Sequence, residues 1–169
     1  MSLISRLFGQ HDDQAAVRPL WHRVVGIARE KEWYAQCGVA DTIEGRFDMI
    51  TMVLALVLLR MEKDPALADQ SAKLTELFIS DMDGQMRNSG VGDLAVGKRM
   101  GKYMGALGGR LGVLRDWQAS GNDLPGLVAR NLTLRDGADP ATAAARFAAL
   151  SDQVMKVDSA DLLRGEIAR

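Results

Sequence analysis

The chain has 169 residues and a mass of 18.4 kDa, a length that fits one domain. Hydrophobic residues make up 47% and charged residues 25%, so the chain can form a core and global disorder is excluded. Its 21 basic and 22 acidic residues nearly cancel, which excludes a whole-protein field that would attract nucleic acid or an anionic membrane. With one cysteine and two histidines, the sequence offers no intrachain disulfide and little from which to build a metal site.

The amino terminus does not resemble a secretory signal, because its apolar part is short and two aspartates follow it at once. The longest apolar run, residues 49–59, is interrupted only by Thr51 and would span about 16 Å as a helix, against roughly 30 Å for a bilayer core. We therefore expect a buried helix rather than a membrane span, and a cytoplasmic protein. Residues 1–17 are predicted to form a flexible segment, and residues 18–169 a single helical domain.

Hydrophobic residues recur with helical spacing along the chain, and no segment shows the alternation of a strand. This pattern predicts an all-α fold, a single-domain antiparallel bundle of about six to seven helices. The four prolines stand where helices begin, and two of them follow an aspartate that can cap its helix. The predicted helices cover residues 19–36, 42–62, 65–88, 93–118, 125–134 and 140–157, followed by a weak helix to residue 168. The second of them is apolar on all sides at its centre, so we expect it in the core.

The fourth predicted helix is unusually rich in glycine. Nine of the chain's 17 glycines fall between Gly84 and Gly112, although each glycine inside a helix costs about 1 kcal/mol relative to alanine. On a helical wheel, five glycines form a face of their own, between an apolar face and a basic face. These glycines are Gly97, Gly101, Gly105, Gly108 and Gly112, and the basic residues are Lys98, Arg99, Lys102 and Arg110.

Besides the absence of any special role, two interpretations of the glycine face stay open. A neighbouring helix of the same bundle can pack closely against it. Alternatively, the face receives a helix of a partner, as faces of small residues do between membrane helices.

The start of this helix also resembles a nucleotide-binding sequence. Gly92, Gly97 and Lys98 have the spacing of a phosphate-binding loop, but Arg99 stands where that loop has Ser or Thr, and no strand precedes it. The aspartates at positions 81 and 83 do not face the same way on a helix, which favours cap or salt-bridge roles over a metal site. We therefore expect no catalytic residue, no cofactor and no metal.

A combined motif of aspartates, glycines and basic residues spans Asp81 to Arg110. It consists of Asp81-Met82-Asp83, Arg87, Gly90-Val91-Gly92-Asp93, Val96, Lys98, Met100 and Gly109-Arg110. Together with Trp33-Tyr34 and residues 42–48, this motif resembles the signature of the ubiquinol–cytochrome c chaperone family over roughly residues 30–120. The chain departs from the family's pattern at Asn88, where an acidic residue is common, and at Gly108, where an aromatic residue is common.

The resemblance implies an all-helical, non-catalytic assembly factor for ubiquinol–cytochrome c reductase, and the short chain looks like the bacterial form. The implied client is newly made cytochrome b. Further implied partners are a small helical co-chaperone, the ribosome and, transiently, the cytoplasmic face of the inner membrane, with no DNA. The alternative functions are a small helical phosphate- or nucleotide-binding protein and an oligomeric helical bundle without a client.

The residues predicted to contact a partner carry charges of both signs. The basic residues suit acidic client loops or ribosomal RNA phosphates. The aspartates suit the Lys/Arg-rich cytoplasmic loops of a membrane protein. The predicted partner-binding residues are Asp81, Asp83, Arg87, Gly90, Gly92, Asp93, Lys98, Arg99, Lys102 and Arg110.

Overall fold

The computed structural model describes residues 14–88, 90 and 92–168. Over these residues the protein is an all-α bundle, as predicted, and a single antiparallel bridge between Val39 and Leu134 is the one β-type pairing they form. The helices are α1 (Arg18–Ala28), α2 (Lys31–Ala35), α3 (Ile43–Glu62), α4 (Ala68–Asn88), α5 (Asp93–Ser120), α6 (Leu124–Asn131), α7 (Pro140–Lys156) and α8 (Ser159–Leu163). Short 3-10 turns cover Ala15–Val17 and Pro65–Leu67.

The central helix is α3, as its uniformly apolar sequence predicts. Residues 49–59 are all buried, and the helix packs against α1, α4, α5 and α7. Thr42 caps its first turn by accepting a hydrogen bond from the Gly45 amide at 3.1 Å. A Cβ atom on Gly45 would lie 2.0 Å from the Ala40 carbonyl oxygen, so the chain approaches the start of α3 more closely than alanine allows. No helix among the described residues has the length and hydropathy needed to cross a membrane.

The first predicted helix, residues 19–36, is two helices separated by a turn. Glu30 adopts an extended backbone with ψ of 131°, which separates α1 from α2. Two aromatic side chains of α2 then donate hydrogen bonds to the last carbonyls of α1: the Trp33 indole to Ile27 at 2.9 Å and the Tyr34 hydroxyl to Ala28 at 2.7 Å. These bonds satisfy helix-end acceptors that a continuous helix would have used internally.

The predicted domain boundary at residue 18 falls inside folded structure. Residues 1–13 of the predicted flexible segment lie outside the described residues. Val17, however, is 0% exposed in the first 3-10 turn, which packs against α1 and α4. The packed structure therefore includes residues 15–17, and the division of the chain at residue 18 stays a prediction.

The predicted aspartate–proline starts are confirmed. Asp64 accepts a hydrogen bond from the Ala66 amide at 3.1 Å and begins the second 3-10 turn. Asp139 accepts from the Ala141 amide at 2.9 Å and caps α7. In both places the proline fills the first position, where its missing N–H costs nothing.

Candidate protein-binding surface

The turn between α4 and α5 holds the acidic half of the predicted site. Arg87, in the last turn of α4, donates from Nε to Asp83 at 2.7 Å and from Nη1 to Asp93, the first residue of α5. Gly90 lies between the two helices with φ of 81°, a conformation that favours glycine. The hydrogen bonds to Asp83 and to Asp93 raise the pKa of Arg87. The two carboxylates and one guanidinium fix the turn and leave one net negative charge.

Asp81 has a structural contact of its own. Its carboxylate accepts a hydrogen bond from the Trp21 indole at 2.6 Å, and Trp21 is 2% exposed. The Trp21 ring also meets the edge of Phe78 at a centroid distance of 6.0 Å. Asp81 therefore ties α1 to α4 rather than sharing a site with Asp83, and the salt-bridge interpretation of Asp83 is confirmed.

Arg110 lies in the interior and is 7% exposed. Its guanidinium donates to the Thr51 hydroxyl, to the Asp48 carboxylate and, at 2.8 Å, to the Asn131 carbonyl. Its carbon Cζ also stands 5.8 Å from the centroid of the Phe47 ring. Arg110 thus joins α5 to α3 and to the end of α6, and it does not belong to the exposed basic face on which the sequence placed it.

Asp48 completes this interior pair, and sequence reasoning did not identify it. Its second oxygen accepts hydrogen bonds from the Thr133 amide at 2.9 Å and from the Thr133 hydroxyl at 2.7 Å. The signal was available, because Thr51 is the one polar residue in the longest apolar run and lies one helical turn from Asp48. A polar residue in such a run is buried at a cost unless it has a hydrogen-bond partner.

The other basic residues of α5 that the sequence assigned to the site are exposed. Lys98, Arg99 and Lys102 have no acidic partner in the part of the chain that the structure describes. Gly97 and Lys98 lie inside α5, where helix amides donate to carbonyls four residues earlier. The sequence that resembled a phosphate-binding loop is therefore a helix.

The glycine face of α5 points away from the core. A Cβ atom at any of its five positions would meet no described atom within 4 Å outside its own helix. The buried residues of α5, which include Val96, Leu107 and Leu114, belong to the apolar face beside the glycines. The interpretation in which a neighbouring helix of the bundle packs against the glycines is therefore wrong for the described chain. We call these glycines, together with Lys98 and Lys102, the α5 outer face.

These features define the class as an all-helical protein in which one helix, α5, exposes a face of glycines. A family model described as Ubiquinol-cytochrome C chaperone matches residues 35–168, and the chain belongs to this family. The crystal structure of the Cbp3 homolog from Brucella abortus is similar to it with a TM-score of 0.78 and 28% sequence identity, over 98% of this chain and 96% of that chain. No curated protein matches the sequence.

The family resemblance predicted from residues 81–110 is thereby confirmed, together with the all-α fold. Membership makes this chain an assembly factor for ubiquinol–cytochrome c reductase.

Proposed function

We propose that this chain is a non-catalytic chaperone that binds newly made cytochrome b and promotes its assembly into ubiquinol–cytochrome c reductase. Family membership over residues 35–168 carries the proposal. The likeness to a Cbp3 homolog along nearly the whole of both chains supports it. In this proposal the protein works in the cytoplasm and touches the inner membrane as a peripheral protein.

The α5 outer face is the surface that we propose for an apolar helix of the client. Each of its glycines gives up about 1 kcal/mol of helix stability relative to alanine, and no described residue packs against them. Where side chains are absent, two helix backbones can approach closely, which is how small-residue faces pair membrane helices. Contacts with a partner helix that packs there would offset the helix stability that these glycines cost the free chaperone.

The α4–α5 turn is the surface that we propose for a basic loop of the client. Cytoplasmic loops of membrane proteins are rich in Lys and Arg. Asp93 is the most accessible carboxylate of the turn, with its side chain 85% exposed. The charge reversal Asp93→Lys should weaken capture of the client, whereas Asp152→Lys, at an exposed position on α7, should leave it unchanged.

The test of the client is affinity capture of the tagged protein from gently solubilised cells, with cytochrome b quantified by mass spectrometry. We expect unassembled cytochrome b to be recovered with the wild-type chain. The double substitution Gly101→Leu and Gly105→Leu should reduce that recovery at least tenfold, because leucine side chains block the close approach of a partner helix. The matched control is Ala145→Leu, which adds an exposed leucine on α7 instead.

Recovery of cytochrome b at background level with the wild-type chain would contradict the client. Equal recovery with the glycine variant and the control would contradict the surface but not the client. Light scattering of the purified protein tests the remaining alternative, an oligomeric helical bundle without a client. A stable homo-oligomer that the glycine substitutions dissociate would make the α5 outer face an interface between copies.

A further inference from the structure

An apolar groove lies where the first half of α3, the end of α4 and the first turns of α5 meet. Ile50, Met82 and Met86 line its base, and each is at most 6% exposed. Phe47 and Tyr103 form a wall in which the two rings contact each other at a centroid distance of 4.2 Å. We call this cavity of about 370 Å³ the α3–α4–α5 groove.

The groove is lined by positive charge only. Arg29, Arg46 and Arg99 line it, and no aspartate or glutamate does. Arg46 pairs with Asp41 at 2.6 Å. Arg29 and Arg99 have no acidic partner among the described residues, so two guanidinium groups remain beside an apolar surface. A ligand that supplies carboxylates next to apolar side chains complements both features.

An exposed isoleucine extends the apolar surface to the rim of the groove. Ile43, the first residue of α3, is 81% exposed and lines the groove. Among the described residues only Ile43 and Val113 are large hydrophobic residues left exposed. The position beside the arginines therefore supplies an accessible apolar contact for a partner.

The shape of the groove favours an inserted segment over a flat surface. It shares Ile50, Met82 and Gln85 with a hollow between α1 and α4, and it shares Arg29 and Arg46 with a hollow beside α2. The hollow beside α2 is also lined by Asp41 and the hollow between α1 and α4 by Asp81, so of these three cavities only the α3–α4–α5 groove has no carboxylate in its lining. A bilayer surface would reach only the rim, whereas the apolar stripe of a helix can enter a groove and reach its base. Methionine side chains adapt their shape to such a stripe.

We propose that the α3–α4–α5 groove binds an amphipathic helix of a second protein partner, with apolar side chains against Ile43 and the methionines and carboxylates beside Arg29 and Arg99. The basic cytoplasmic loops expected of a membrane client do not suit this charge. The groove lies on the core-facing side of α5 and the glycines on its outer side. This second site therefore does not depend on the proposed client.

The test uses the full chain and a synthetic helical peptide of about 20 residues, long enough to be substantially helical. Its leucines follow helical spacing and glutamates flank them, and the control peptide has lysines in place of the glutamates. Fluorescence anisotropy should show saturable binding of the acidic peptide, tighter at low salt, and at least tenfold weaker binding of the basic peptide. Hydrogen exchange should show protection at residues 43–50 and 82–86.

Three variants locate the contact. Combined Arg29→Glu and Arg99→Glu should weaken binding at least tenfold, and Ile43→Ser should weaken it without changing stability, since Ile43 is exposed. The matched control combines Lys63→Glu with Lys156→Glu, two exposed cations outside the groove, and should bind as the wild type does.

Three results would overturn the proposal. They are equal binding of the two peptides, no saturable binding of either, and equal weakening by the control pair. If phosphatidylglycerol vesicles bind the protein, lose binding with the groove variants, and neither peptide binds, the groove takes a lipid surface and the proposal is wrong.

Discussion

Arg110 holds three helices together through a charge pair in the interior of the bundle. The wheel placed it with Lys98 and Lys102 because it is basic, yet it stands at the border between the basic and apolar faces. The border position could be deduced from the sequence, but the direction of the side chain could not. That direction is set by Asp48 on another helix, 62 residues away along the chain.

Removing the Arg110 charge should destabilise the protein strongly. The substitution Arg110→Met leaves the Asp48 carboxylate, whose side chain is 15% exposed, without its counter-charge. Breaking a buried pair in this way costs about 3–5 kcal/mol of unfolding free energy. Urea denaturation measures the loss, and Arg110→Met combined with Asp48→Asn should cost less than the sum of the single changes. Unchanged stability together with weaker client capture would instead make Arg110 a partner contact.

The alkylation rate of Cys37 shows whether the native chain has a reactive thiol. The residue is buried, and burial raises the pKa of its thiol. The protonated thiol is the poor nucleophile, so alkylation by iodoacetamide at pH 8 should be roughly tenfold or more slower in the native protein than in urea. Since a raised pKa keeps the folded thiol protonated, the native rate should increase only at more alkaline pH. Fast native labelling at neutral pH would contradict this account and favour a catalytic role.

At the scale of the element, α5 combines a well-packed inner side with an outer side on which five glycines leave the backbone uncovered. The sequence pattern separated the two sides correctly, because the period of a helix fixes which residues share a face. The pattern could not predict whether another helix covers the glycine face, because that depends on how whole helices pack against one another. The break between α1 and α2 shows the same limit. No proline or glycine marks it, and it depends on hydrogen bonds from Trp33 and Tyr34 to the end of α1.

Glycine-to-alanine changes should have opposite signs at two places in the chain. Gly101→Ala and Gly105→Ala should each raise the free energy of unfolding by about 1 kcal/mol, because these glycines are exposed inside a helix and alanine fits there. Gly45→Ala should lower it by about 1–3 kcal/mol, because the new Cβ atom would meet the Ala40 carbonyl oxygen. Urea denaturation of the three variants measures both signs. Destabilisation by Gly101→Ala or Gly105→Ala would show that the glycine face is packed within the protein.

At the scale of the molecule, the family and the all-α fold could be predicted because both depend on local patterns: helical periodicity and one dense motif. The motif itself is partly structural. Arg87 uses Asp83 and Asp93 to fix the α4–α5 turn, so these residues shape the surface besides presenting charge. The α3–α4–α5 groove could not be predicted, because its lining comes from segments that are distant in the sequence and meet only in the folded chain.

The measurement that tests the central claim most directly is the amount of assembled ubiquinol–cytochrome c reductase in cells that lack this protein. We predict that deletion of its gene greatly lowers assembled reductase on native gels. The wild-type chain and Ala145→Leu should restore it, and the chain carrying Gly101→Leu and Gly105→Leu should not. A normal amount of assembled reductase in the deletion strain would contradict the chaperone function, whatever the protein binds in isolation.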